Sequence, residues 1–175
     1  MNGLKRFLVI LVTIPVCFVL QMIALPRIPY LIQVPNLLLA AVLTFGFLYG
    51  KAYGLGSGVA AGLLIDVLGV GMPGFYTLIF ALLGFGDGYL SEKIDSELIP
   101  ILYLLLFVNE LLYHVYQLVF QFLLRKSWKL GPYLTEVFLP EIFLTMIAFI
   151  LLYGILIFLS KRWDLKVNKG AVKIV

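Results

Sequence analysis

Six apolar stretches divide this chain, at about residues 7–25, 35–49, 53–70, 74–90, 98–124 and 136–160, each near the length that crosses some 30 Å of hydrocarbon as a helix. The second and fourth are short, about 22 to 26 Å at 1.5 Å per residue, and the fifth is long enough to tilt. Of the 175 residues, 63% are hydrophobic and the mean hydropathy is +1.10, whereas soluble domains hold about 45–50% apolar residues even with glycine included. Little chain lies between the stretches. The expected architecture is therefore an all-α integral membrane protein, residues 1–175 forming one polytopic domain: six transmembrane helices in a single compact bundle. No soluble module, low-complexity linker or internal repeat is visible. Function must come from the bundle and its short loops.

Lysine and arginine set the expected orientation. With a cytoplasmic N-terminus, six spans return the C-terminus to the same side. Lys5, Arg6, Lys51, Lys93, Lys161, Arg162, Lys166, Lys169 and Lys173 then lie inside, nine of the thirteen basic residues. Arg27, Arg125, Lys126 and Lys129 lie outside, the last three as a local exception. The bias favours this topology, with both termini cytoplasmic. The net charge of +4 is explained by membrane orientation without nucleic acid. The first span is too long and wrongly flanked for a cleaved signal peptide and reads as a retained anchor. Cys17 is the single cysteine, so no intrachain disulfide forms.

Within the third span, Gly54, Gly58 and Gly62 recur at four-residue steps and lead to Asp66. On a helix each such step turns only about 40°, so the glycines form a smooth stripe that another helix backbone can approach closely. The stripe suits packing among spans two to four, and a homodimer face is its other use. Asp66 lies at the stripe's edge. A carboxylate at the bilayer centre costs roughly 2.5 to 3.5 kcal/mol, so it should face protein or water. It either caps backbone near the outer end of its helix or binds a partner helix.

The connections are short. Pro26 and Pro29 end the first helix in an extended segment. Pro35 is expected in the first turn of the second helix, with the Asn36 amide holding loop backbone beside it. Gly50 to Gly54 and Gly69 to Gly74 read as tight turns, which predicts a bundle centred on spans two to four. Asp95 and Glu97 favour the start of the fifth helix, and Trp128, Pro132 and Tyr133 form an interfacial anchor.

Five ionisable residues fall within or near the spans: Asp66, Asp87, Glu110, His114 and Glu141. Glu110 and His114 are four apart, hence on one helix face, and are expected to form a structural polar pair directed into the bundle, with contact to a partner as the other reading. Two ligands do not make a metal site, and the chain has one histidine, so no metal and no cofactor is expected. Asp66 and Asp87 point to opposite sides of the bilayer, which argues against a proton-sharing carboxylate dyad. No other arrangement suggests catalysis, and a non-enzyme is expected. Pro140 either kinks the last helix, presenting Glu141 to a groove, or marks an N-terminal turn.

The order Pro35-Asn36-Leu37-Leu38, then Gly58, Gly62-Leu-Leu-Ile-Asp66 and Gly69, then Gly74, resembles the MreD family of bacterial rod shape-determining membrane proteins. Length, hydropathy and the short basic tail match over nearly the whole chain, while the specific motif covers residues 35 to 74. The resemblance implies a non-catalytic scaffold of the cell-wall elongation machinery, multi-pass in the bacterial cytoplasmic (inner) membrane. Its implied partners are MreC directly, and less directly the actin-like MreB, the glycosyltransferase RodA and RodA's paired transpeptidase. Pro35, Asn36, Gly58, Gly62, Asp66 and Gly74 are the residues expected to bind a partner or shape the face that does. The family is also similar to the substrate-binding subunits of energy-coupling-factor vitamin transporters, six-helix bundles with an outward pocket, which supplies the alternative function. Against it, the stretch from Phe7 to Leu25 carries only Ala24 among the smallest residues, too few to dock an energising partner. A channel or exporter would need a row of polar residues along a span, and none is present.

Overall fold

The computed structural model describes residues 2–29, 33–69, 73–93, 99–125 and 130–162, and over these it is entirely helical. The helices are α1 (Asn2–Val19), α2 (Leu37–Tyr49), α3 (Lys51–Leu68), α4 (Phe75–Lys93), α5 (Ile99–Arg125), α6 (Leu130–Tyr133) and α7 (Leu139–Arg162). A π-helical segment, Leu20–Ala24, and a 3-10 turn, Leu25–Arg27, extend α1. A second π-helical segment, Leu134–Phe138, joins α6 to α7. Four helical stretches are long and apolar enough to cross a membrane: Gly3–Arg27, Lys51–Leu68, Pro100–Phe120 and Leu134–Arg162. The 13 residues of α2 make a shorter apolar helix.

That short helix is the centre of the molecule. Every residue from Leu37 to Tyr49 is buried, so α2 is apolar all round rather than on one face, as a helix enclosed by others must be. Its ends are set by chemistry. At the start, Asn36 Oδ1 accepts from the Leu39 N–H at 3.2 Å, and Gln21 Oε1 in the α1 extension accepts from the Leu38 N–H at 3.0 Å. Two of the four N–H groups that a helix start leaves unpaired are thereby satisfied. The Asn36 N–H donates to Thr145 Oγ1 of α7 at 2.9 Å, pinning the cap to the neighbouring helix. Pro35 precedes the cap and lies outside the helix, which corrects its expected place in the first turn; its ring stiffens the approach instead. At the far end Gly50, at φ +92°, is the whole connection to α3. A left-handed backbone there favours glycine, and the turn is tighter than the five residues read from the sequence.

The α3–α4 pair is the tightest contact in the fold. A β-carbon on Gly54 would strike the Gly84 carbonyl, one on Gly58 the Phe80 carbonyl, and one on Gly62 the backbone of Thr77. Gly84 faces Gly54 in return, and Gly88 lies against Lys51. Gly46 of α2 meets both Gly54 and Gly84, so three glycines from three helices share one junction. The stripe packs inside the chain, among the three helices expected. Lipid gives apolar side chains little reason to leave it, so this close backbone approach is a main source of cohesion.

The outer helices close around α2. Ile14, Cys17 and Phe18 of α1, Leu102 and Leu106 of α5, and Phe149 and Leu156 of α7 join its core. The helical path runs on both sides of Pro140, and the π-helical segment before it accommodates the N–H that proline lacks. Glu141 is therefore part of a longer helical path than the expected start at residue 136. Asp95, Glu97, Lys126, Trp128, Lys129, Lys166, Lys169 and Lys173, and the side chains of Arg125 and Pro132, lie outside the described residues.

Candidate functional site: buried polar networks and an open groove

Asp66 is the staple of α4. Its Oδ2 accepts from the Gly74 N–H at 3.0 Å and the Thr77 N–H at 2.9 Å, and its Oδ1 from the Tyr76 N–H at 2.9 Å. The Thr77 hydroxyl adds a fourth bond at 2.5 Å. A carboxylate from α3 thus satisfies the first N–H groups of α4, where the helix dipole also favours negative charge. Gly74, at φ +87°, supplies the turn that aims those N–H groups at it. Of the two readings of Asp66, its geometry is that of the cap.

Asp87 lies ten residues beyond Thr77 along α4, about 15 Å at helical rise. It is 2% exposed, and the Asn109 amide of α5 donates to both its oxygens, at 2.9 and 2.8 Å. Asp66 and Asp87 therefore occupy separate networks, and no dyad forms between them. Asn109 was not singled out in the sequence. Its position one residue before Glu110, amid apolar neighbours, is the signal that marks it.

The third network joins α5 to α7. Glu110 and His114 are almost wholly buried, and Glu141 of α7 comes to meet them. His114 Nε2 lies 3.6 Å from Glu110 Oε2 and 3.8 Å from Glu141 Oε2. On the other side of the ring, Nδ1 is 2.8 Å from the Tyr133 hydroxyl, which donates to Gln117 Oε1 at 3.1 Å. The Gln117 amide donates to the Tyr113 hydroxyl at 2.8 Å. Gln33, just before α2, donates to Glu141 Oε2 at 3.4 Å. The expected pair of Glu110 and His114 is thus a triad with Glu141, held by a shell of tyrosine and glutamine that sequence spacing alone did not reveal.

Between α1 and α3 lies an open groove of about 690 Å³, walled by Phe7, Ile10, Leu11 and Ile14 and by Leu63 and Val67. Its floor includes Ala52, Gly56 and Ala60, a second small-residue row on α3, offset by two from the first. A β-carbon on Gly56 would meet nothing within 4 Å among the described residues. The same four-residue spacing that flagged Gly54, Gly58 and Gly62 marks this row as well. The two rows face different neighbours, since α4 covers the first and the second is open.

These features define a polytopic helical membrane protein whose polar groups serve mainly to fix helices to one another. The chain belongs to the family of rod shape-determining protein MreD, which it matches over residues 1–163. That family's role is the determination of rod cell shape, and it is not a known enzyme family. No curated protein and no solved structure matches the chain.

Proposed function

We propose that this protein is a non-catalytic scaffold of the cell-wall elongation complex, multi-pass in the bacterial cytoplasmic membrane, and that it binds MreC. Through MreC it is coupled to MreB, RodA and RodA's paired transpeptidase. The observation that carries the reading is the α1–α3 groove. Its Ala52-Gly56-Ala60 floor has the small-residue spacing that lets a second helix come within close backbone distance in lipid. A single membrane helix of MreC is the occupant.

Pro35, Asn36, Gly58, Gly62, Asp66 and Gly74 act at one remove in this mechanism. They hold α2, α3 and α4 as one block, so the α3 face of the groove is presented in a fixed orientation. Six spans with both termini cytoplasmic are part of the proposal. Support comes from one end of the bundle, where Arg6 lies over the rings of Tyr49 and Tyr53 at 5.2 and 5.4 Å. Tyr49 is 2.7 Å from Ser160, the residue before Lys161, so cations from the first and last helices gather there as the positive-inside bias requires.

The test is mild-detergent co-purification of the tagged protein from its native membrane, with mass spectrometry of bound proteins and small molecules. MreC should be recovered with the wild type and lost with Gly56→Leu, which fills the groove while keeping a good helix former on α3. Recovery of an ATPase-coupled partner with a bound vitamin would replace the scaffold with the transporter reading.

A further inference from the structure

Glu110 is 0% exposed, and among the described residues neither of its carboxylate oxygens receives a hydrogen bond. Its hydroxyl neighbour Thr145 does not relieve this, because the Thr145 proton goes to the Glu141 carbonyl oxygen at 2.7 Å. An unpaired carboxylate in an apolar interior is among the most costly arrangements a fold can hold. Such a group must either hold a proton or have a cation beside it.

The proton inventory of the network says where. Tyr133 has one hydroxyl proton and gives it to Gln117 Oε1, so its oxygen receives the Nδ1–H of His114. A neutral imidazole that carries its proton on Nδ1 presents a lone pair at Nε2. That lone pair points at Glu110 and Glu141 across 3.6 and 3.8 Å, too far for a hydrogen bond in either direction, and Nε2 has no hydrogen-bond partner among the described residues. Three electron-rich groups from two helices converge, all ligand atoms lying within 4.8 Å of one another, with the Gln33 amide donating to Glu141 Oε2 at their edge at 3.4 Å.

We propose that Glu110, His114 and Glu141 bind one divalent transition cation of the zinc type. Zinc takes imidazole nitrogen and carboxylate oxygen at about 2.0 to 2.2 Å, which places tetrahedral neighbours roughly 3.3 to 3.5 Å apart. The two separations from His114 need only a small inward adjustment, and the ligand atoms as a set, within 4.8 Å of one another, draw together by side-chain rotation. Imidazole favours zinc and its neighbours over magnesium or calcium, which prefer all-oxygen ligands. Two carboxylates and a neutral imidazole around a doubly charged ion sum to zero charge, the least costly total for a site inside a bilayer. The Tyr133 contact fixes the imidazole tautomer from the far side, as second-shell partners of metal-bound histidines do. The expectation of no metal rested on there being a single histidine. Glu141, distant in sequence, supplies the third ligand, and the ion then clips α5 to α7.

The experiment uses the full chain in detergent, carrying a tag free of histidine, stripped with a chelator and then titrated with Zn2+ or Co2+ alone. The wild type should take up about one equivalent, melt at a higher temperature with Zn2+ present, and give the visible absorption of nitrogen- and oxygen-ligated Co2+. Glu110→Gln and Glu141→Gln should each weaken binding at least tenfold. Because His114 is the sole histidine, its 15N spectrum is unambiguous even if a variant fails to fold. In the wild type, Nδ1 should carry the proton and Zn2+ should shift Nε2. An imidazolium signal that Zn2+ leaves unchanged, no uptake, or uptake equal in folded variants would overturn the site. None of these readouts depends on MreC.

Discussion

Asp66 shows how one carboxylate is accommodated in a membrane bundle: it accepts four hydrogen bonds across a helix–helix turn. Asp66→Ala removes all of them and leaves the Gly74, Tyr76 and Thr77 N–H groups without that acceptor. The loss should be about 1–3 kcal/mol, seen as a lower melting temperature in detergent with the bundle still folded. Asp66→Asn keeps one oxygen acceptor and should lie between. An unchanged melting temperature in Asp66→Ala would show that the staple is not needed. At this scale the sequence was informative about which residues are buried and polar, because charge within an apolar run is conspicuous. It was uninformative about their partners. Thr145, Asn109, Gln21 and Gln33 look unremarkable in sequence, and Glu141 lies 31 positions from Glu110, so only the packing of α7 against α5 brings them together.

Among the elements, the pairing of α3 with α4 depends on glycines that differ in what surrounds them. Gly58→Ala forces a β-carbon into the Phe80 backbone, which side-chain rotation cannot relieve, and should destabilise by about 1–3 kcal/mol. Gly86→Ala, on the same pair of helices but facing open space, should be neutral or stabilise by up to about 1 kcal/mol through helix propensity. Thermal unfolding of the two variants side by side measures the contrast, and equal effects would contradict the close-packing account. The helices themselves were legible: each of the six apolar stretches contains one, since uninterrupted apolar composition and glycine–proline punctuation are local signals. Two details were not. Pro35 lies before the Asn36 cap because the cap, not the proline, bonds the Leu39 N–H. The last helical path begins near Leu130 because a π-helical segment carries it past Pro140, and nothing in the composition announces that.

For the whole molecule, α2 is a buried axis, α3 and α4 are fastened to it by glycine contacts, and α1, α5 and α7 enclose them. Four of the helical stretches meet the length and hydropathy of a membrane span, and the family places the chain among rod shape-determining proteins. The glycine row that the sequence made prominent is used up inside the bundle. The row left open on α3 is Ala52-Gly56-Ala60; both rows show the same period in the sequence, and only the position of α4 tells which is covered. The most direct test of the scaffold account places a photo-crosslinking amino acid at Ala60, on the groove floor, and separately at Leu151, an exposed residue of α7. In native membranes, crosslinking to MreC should be strong from position 60 and weak from position 151. Equal yields, or capture of MreC from position 151 alone, would contradict the groove as its seat.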